Sequence, residues 1–395
     1  MRVAHVESGR HLYGGARQVL HLIEGAGARG VDNVLVCAAG SAIAAEAAGR
    51  CNVIELPLSG DIDPWAVRRL RRVLTAVCPD IVHVHSRRGA DLYAGLASLG
   101  APWRAVLSRR VDHREIAPWA RFKYRPYAAV IAISRAVERE LVDHVRLPSE
   151  RVHRVPSAVP PYAGDASSAA VRTAARRALA AAVGLPPDAS IAAVIGQLIP
   201  RKGHRILLAA LPHVLARHPR WHVVFFGRGP LEAELRREIA RLGLDGRVRL
   251  AGFRAELAAW LPGIDVVIHP ALKEGLGLAV LEAMSAGVPV IAAAAGGLPD
   301  VVEDGVSGLL VPAGDADALR RAAERLFANA AERERLGRAG RRRALESFGV
   351  ERMVDAHLAI YRRLLDGRET ASEDPLARAA AQHVPAADSA RGSPR

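Results

Sequence analysis

Glu274 and Glu282 stand eight positions apart around a glycine-rich turn, Glu-Gly-Leu-Gly-Leu-Ala-Val-Leu-Glu, that sets two carboxylates about the start of a helix. Such a turn suits a phosphate and a sugar held together. Backbone N–H groups of Gly275, Leu276, Gly277 and Leu278 lie where the helix dipole adds roughly half a positive charge. Glu274, in the loop, then faces whatever the phosphate carries. Glu282, about two turns deeper, suits a pair of vicinal hydroxyls such as those of a ribose.

Two further glycine turns fit phosphate chemistry. Gly14-Gly15 follows a strand and precedes a helix, so a diphosphate could approach a backbone without side chains. Gly196-Gln197-Leu198-Ile199-Pro200-Arg201-Lys202-Gly203 joins another strand to a helix and carries a point charge in Lys202 and a planar fork in Arg201. Gly227-Arg228-Gly229-Pro230 is a candidate wall for the nucleotide.

The elements that must position these turns alternate as in doubly wound α/β folds. Strands are expected at 1–6, 31–38, 52–56, 81–85, 103–107 and 129–133, and again at 190–195, 222–226, 248–251, 265–269, 288–292 and 308–311. At 395 residues the chain exceeds what one core supports. The expected organisation is a first Rossmann-like domain at 1–165, a linker at 166–187, a second such domain at 188–349, a helix at 350–366 and a disordered tail at 367–395.

Several patterns have plain structural readings. Gly25-Ala26-Gly27-Ala28-Arg29-Gly30 has the spacing of a dinucleotide fingerprint but follows a helix and leads into a strand, the reverse of the required order. Asp61-Ile62-Asp63-Pro64 resembles a metal-binding Asp-x-Asp, yet Asp63 before Pro64 is an N-cap with proline at the first helical position, so no metal is implied. Cys37, Cys51 and Cys78 are read as core thiols of a reducing cytosol, and the start Met1 to Glu7 lacks the apolar core of a signal peptide. His83 and His85 share a strand, with the expectation that one faces the cleft while the other packs, and His85 at the strand end is the candidate site residue.

Together the motifs resemble the group 1 family of retaining glycosyltransferases with the GT-B fold, whose Glu-x7-Glu segment contacts a nucleotide-sugar donor. The resemblance spans Gly14-Gly15, Asp80 to His85, Ile131 to Ser134, Gly196 to Gly203, Gly227 to Pro230, Glu274 to Glu282 and Gly287 to Val311. It implies two Rossmann-like parallel-sheet domains facing across a cleft. It also implies transfer of a sugar from a nucleotide diphosphate sugar to an acceptor hydroxyl with retention, the sugar nucleotide being a co-substrate rather than a cofactor. By the same resemblance Lys202 and Arg201 stabilise the leaving diphosphate, Glu274 binds the donor sugar and Glu282 the ribose.

The chain departs from the family pattern twice. Gln197 stands where an Arg is common, and Ser108-Arg109-Arg110-Val111-Asp112-His113 replaces a segment that usually carries a His, so that Arg110 or Asp112 takes its place. Sugar-nucleotide epimerases share the architecture and are an alternative, as is a catalytically degenerate membrane-associated binding protein.

The formal charge of +14 includes a run from Trp103 to Tyr127 in which Arg104, Arg109, Arg110, Arg114, Arg121, Lys123 and Arg125 interleave with aromatic residues. Basic residues beside aromatic rings suit an anionic membrane surface. No nucleic-acid-binding motif accompanies that charge. The expected partners are therefore a nucleotide-sugar donor, a lipid-linked or saccharide acceptor of surface polysaccharide, lipopolysaccharide or glycolipid synthesis, and the inner face of the cytoplasmic membrane.

Overall fold

The computed structural model describes residues 1–58, 63–85, 89–166 and 168–372. Among them, runs rich in Val, Ile and Ala form the strands of two parallel sheets, buried on both faces as continuous apolar strands require. The first sheet contains β1 (Arg2–Glu7), β2 (Asp32–Ala38), β3 (Asn52–Leu56), β4 (Ile81–His85), β5 (Arg104–Arg109), β6 (Ala129–Ala132) and β7 (Val152–Arg154). Its spatial order is β3-β2-β1-β4-β5-β6-β7. The second contains β8 (Ser190–Ile195), β9 (Trp221–Phe226), β10 (Val248–Gly252), β11 (Val266–His269), β12 (Val290–Ala293) and β13 (Leu309–Val311), in the order β10-β9-β8-β11-β12-β13. Each order reverses beside its first strand, which opens a crevice at the carboxyl ends of the strands.

Register brings the chemistry to those ends. His5 pairs with His83 across β1 and β4, and His85 with Ser108 across β4 and β5, so Glu7, His85 and the residues after Arg109 share one rim. On the other sheet, β8, β9 and β11 end at Ile195, Phe226 and His269, immediately before the turns that carry Gly196, Gly227 and Glu274. The two rims face each other in a GT-B arrangement and touch directly. Asp300 accepts from the Arg135 N–H at 2.6 Å, and Ser285 Oγ donates to the Pro160 carbonyl at 2.8 Å.

Segment 166–187 contains the Arg-Ala helix Ala169–Val183, which buries Leu179 and locks to the second half through Arg176, which grips Asp265 at 2.5 and 2.8 Å. Two expectations need correction. The last helix runs from Val350 to Ser372, so 367–372 are helical and not tail, whereas 373–395 lie outside the described residues. It returns to the first sheet, where Tyr361 OH meets His83 Nδ1 at 2.6 Å and Asp355 accepts from Arg29 at 2.8 Å. Finally, only Cys37 is buried, while Cys51 is half-buried and Cys78 is exposed at a helix end.

Asp63 caps the helix Pro64–Val77 by accepting from the N–H groups of Trp65 and Ala66, whereas Asp61 and Ile62 lie outside the described residues. Among the described residues, no helix is long and apolar enough to cross a membrane.

Candidate active site

Glu274 lies in the loop between β11 and the helix Leu278–Ser285, and its side chain is 12% exposed. Its Oε2 accepts from Lys202 Nζ and, at 2.8 Å, from Nε2 of His269 at the end of β11. Burial alone would raise this carboxyl. The hydrogen bond from His269 and the charge of Lys202 outweigh it and hold Glu274 well below the usual carboxylate range. His269 is itself pushed below its ordinary value by burial and by Lys202, so at neutral pH it offers a hydrogen bond rather than a charge. Sequence reasoning missed His269; its only signal was its place at the strand end, five residues before Glu274.

The Glu274 loop is shaped by backbone that other side chains could not replace. Gly296 has φ +53, and a β-carbon there would fall 1.8 Å from the Glu274 carbonyl oxygen. Gly227 has φ +146, and its β-carbon would fall 1.9 Å from the carbonyl oxygen of Gly196, so the turns after β8 and β9 lie directly on one another.

Lys202 closes a single 3₁₀ turn, Pro200–Lys202, and its aliphatic stem passes 3.5 Å from the β-carbon position of Gly196. Arg201 on the same turn is exposed, and its carbonyl accepts from Leu272 and Lys273, which ties this turn to the Glu274 loop. Gln197 is exposed, and its carbonyl oxygen meets Nε2 of buried His204 at 2.9 Å.

Across the cleft, the helix Gly14–Gly27 begins without a side-chain cap, as does Leu278–Ser285. The two starts converge. A β-carbon on Gly14 would lie 2.6 Å from Leu278 Cδ1, one on Gly15 would lie 3.7 Å from Arg110 Cδ, and one on Gly275 would lie 2.8 Å from the Arg110 carbonyl oxygen. Glu282 is 42% exposed and faces Arg17 of the opposite half at 3.9 Å. Gly14, Leu278, Gly15, Arg110 and Gly275 thus meet where the two halves touch, with Glu282 and Arg17 beside them, while Gly275, Leu276 and Gly277 are buried.

His85 is elsewhere in character. Residues two apart on a strand point to the same face, so His83 and His85 both go inward, fully buried with rings 4.1 Å apart, and neither reaches solvent in the cleft. His85 Nδ1 accepts from Arg110 Nη2 at 3.3 Å, its Nε2 meets His5 Nδ1 at 3.1 Å, and His5 Nε2 meets Asn33 Oδ1 at 3.0 Å. Burial drives His83 and His85 well below the ordinary imidazole value and His5 down to about 4. His5, His83 and His85 bring ring nitrogens within 4.8 Å of one another, the spacing of a metal set. Their nitrogens are already paired with Asn33, Ser108, Tyr361 and each other.

Two family models match the chain. The one described as Glycosyl transferases group 1 covers residues 175–343, and Glycosyltransferase Family 4 covers residues 13–161. Each half of the chain is thus similar to a glycosyltransferase family. Among curated relatives, the D-inositol 3-phosphate glycosyltransferase of Streptomyces bingchenggensis is 36% identical over 203 residues, which are 49% of this chain and 44% of that relative. The lipopolysaccharide core biosynthesis glycosyltransferase LpsE of Rhizobium meliloti is 32% identical over 175 residues, 44% of this chain and 50% of the relative. The match therefore spans about half the length of these curated glycosyltransferases. Among solved structures, Anabaena HepE in complex with UDP-glucose superposes with a TM-score of 0.76 at 21% identity, over 93% of this chain and 100% of HepE, which establishes the shared GT-B fold.

Proposed function

We propose that the protein transfers a hexose-type sugar from a nucleoside diphosphate sugar to an acceptor hydroxyl with retention at the anomeric carbon. The observation that carries this reading is the Glu274 carboxylate, held ionised by Lys202 and His269 and bordered by two uncapped helix starts. Held far below its ordinary pKa, Glu274 is a poor proton donor and a good acceptor for sugar hydroxyls. Its charge also suits an anomeric centre that becomes positive as the leaving group departs.

Lys202 has three N–H donors and gives one to Glu274, so the others serve the diphosphate together with the amides near Gly14-Gly15 and Gly275 to Leu278. Glu282 accepts the ribose hydroxyls from the next turns of the same helix. The bond from the anomeric carbon to the phosphate oxygen breaks, and its electron pair leaves with the diphosphate. The acceptor oxygen attacks from the same face and passes its proton to that phosphate oxygen, so no separate base is required.

The acceptor is proposed to be a saccharide or a lipid-linked saccharide, presented at an anionic bilayer. Support comes from the exposed Trp65, Ile116, Trp119 and Phe122 with the exposed Arg114, Arg121 and Arg125. The basic run is not all surface: Arg109 and Lys123 are buried and paired with Glu115 and Asp91. Purified protein incubated with a panel of nucleoside diphosphate sugars and saccharide or lipid acceptors tests the reading by product mass and by the anomeric coupling in the proton spectrum. An inverted product would remove the same-face mechanism, and a new sugar isomer formed without acceptor would shift the assignment to an epimerase.

A further inference from the structure

We propose that Arg110 receives the departing diphosphate from the first half's wall of the cleft, supplying the positive charge that Gln197 does not bring from the second. The inference rests on the nucleotide-sugar reading and adds a residue to it. Arg110 follows β5 directly and borders both glycine turns, with its carbonyl 2.8 Å from the β-carbon position of Gly275 and its Cδ 3.7 Å from that of Gly15.

Its guanidinium is half-buried, and its direct hydrogen-bond partners are neutral. Nη1 donates to Ser157 Oγ and Nη2 to His85 Nδ1, both at a long 3.3 Å, and Nε is buried without a partner. Arg110 has direct hydrogen bonds only to these neutral groups among the described residues, and Glu7 acts on it electrostatically. A half-buried cation with a buried, unpartnered Nε and long hydrogen bonds is under-satisfied, which points to an anion that arrives from outside. The other basic residues here differ from it: Lys202 shares its charge with Glu274, and Arg201 is exposed to solvent. The uncapped start of the helix Gly14–Gly27 stands beside Arg110 and favours the same sign of ligand.

The histidine relay explains how the guanidinium keeps its direction. Because Arg110 has only N–H donors, His85 Nδ1 must accept, so its proton is on Nε2 and is donated to His5 Nδ1. His5 then carries its proton on Nε2 and donates to Asn33 Oδ1, while Asn33 Nδ2 donates to the carbonyls of Ile23 and Val31. The chain of neutral donors ends on fixed backbone. Burial lowers Arg110 to about 10, which leaves it charged at neutral pH. In the reaction it stays protonated, and its N–H groups meet the phosphate oxygen that takes the electron pair of the broken bond.

The test compares wild type with Arg110→Gln and Arg110→Lys. A thermal-shift panel on the wild type selects the nucleoside diphosphate, which is then titrated calorimetrically beside its unphosphorylated nucleoside. Arg110→Gln is expected to bind the diphosphate about 10- to 100-fold more weakly with nucleoside affinity unchanged, and to lose kcat rather than acceptor KM. Unliganded, it should melt at or above the wild-type temperature, because a half-buried charge with an unpartnered Nε is gone; Arg110→Lys should recover part of the affinity. Undiminished diphosphate affinity in Arg110→Gln, or a defect confined to acceptor KM, overturns the assignment. Should Arg110→Gln not fold, the same titration on Arg110→Lys decides, with wild-type affinity counting against it. A wild type that binds no nucleoside diphosphate would instead overturn the nucleotide-sugar reading beneath it.

Discussion

Lys202 and His269 meet on a single oxygen, Oε2 of Glu274, although Lys202 comes from the turn after β8 and His269 from the end of β11. One oxygen thus orders the carboxylate and leaves the other outside both contacts. Glu274→Gln keeps the shape but removes the anion, and kcat should fall by about 100- to 1000-fold, the scale for losing one preorganised electrostatic contact. Circular dichroism and melting should show an intact fold. Near-normal turnover would remove Glu274 from the reaction centre.

The same pair governs acid behaviour. Glu274 has a folded-state pKa below its unfolded value, so its contribution to stability is present above the ordinary value of about 4.3 and is lost as pH falls from there toward the lowered folded value. Lys202→Met removes the charge that depresses it. The variant's melting temperature should fall less steeply than that of wild type below pH about 4. Parallel curves would show that the ion pair does not set the acid limb.

A second acid transition belongs to the buried imidazoles. Burial lowers His5 to about 4 and His357 to about 3, so the unfolded chain binds more protons than the folded one as pH drops below the ordinary imidazole value. Stability should therefore decline from about pH 6.5 downward, by up to ~1.4 kcal/mol per pH unit for each such histidine. His357 Nε2 is buried without a partner, so His357→Leu should flatten the slope between pH 6 and pH 4, roughly the window between unfolded and folded values. Melting curves in matched buffers would check it.

Gly227→Ala should be among the most damaging single changes. The new methyl group would overlap the Gly196 carbonyl and sit at a φ that side chains avoid. A cost of about 3 kcal/mol or more, or a fall of roughly 6 °C or more in Tm, is expected. A melt within a degree or so of wild type would contradict the packing of those two turns.

Membrane docking makes a separate claim. Trp119 and Phe122 stack on one another at 5.6 Å on the outer surface of the helix Ala117–Tyr124. Changing both to Ser should weaken sedimentation with anionic vesicles by about tenfold or more, and raising salt should weaken the wild type as well. Transfer to a water-soluble acceptor should be unchanged.

The fold was largely legible because central parallel strands are continuous apolar runs, and β3, β4 and β8 fall at the expected residues. β7 was not, since Val152–Arg154 is too short to show a period and is recognised only by its pairing with β6. Glycine turns and the two glutamates were legible from spacing. His269, the His5–His85 relay and the setting of Arg110 were not, because each depends on neighbours distant in sequence. The aromatic-basic run was misread in part for the same reason: Lys123, Tyr124 and Tyr127 face the core, while Arg114, Trp119, Arg121, Phe122 and Arg125 remain outside.

The return of the helix Val350–Ser372 to the first sheet has a consequence for anyone recombining chains of this fold. Severing the chain near residue 165 would strip the leading half of Leu358 and Tyr361, both enclosed by it, and uncover His83. A chimera that borrows a foreign second half must therefore still carry this protein's own closing helix, fitted to the lobe in which the chain began.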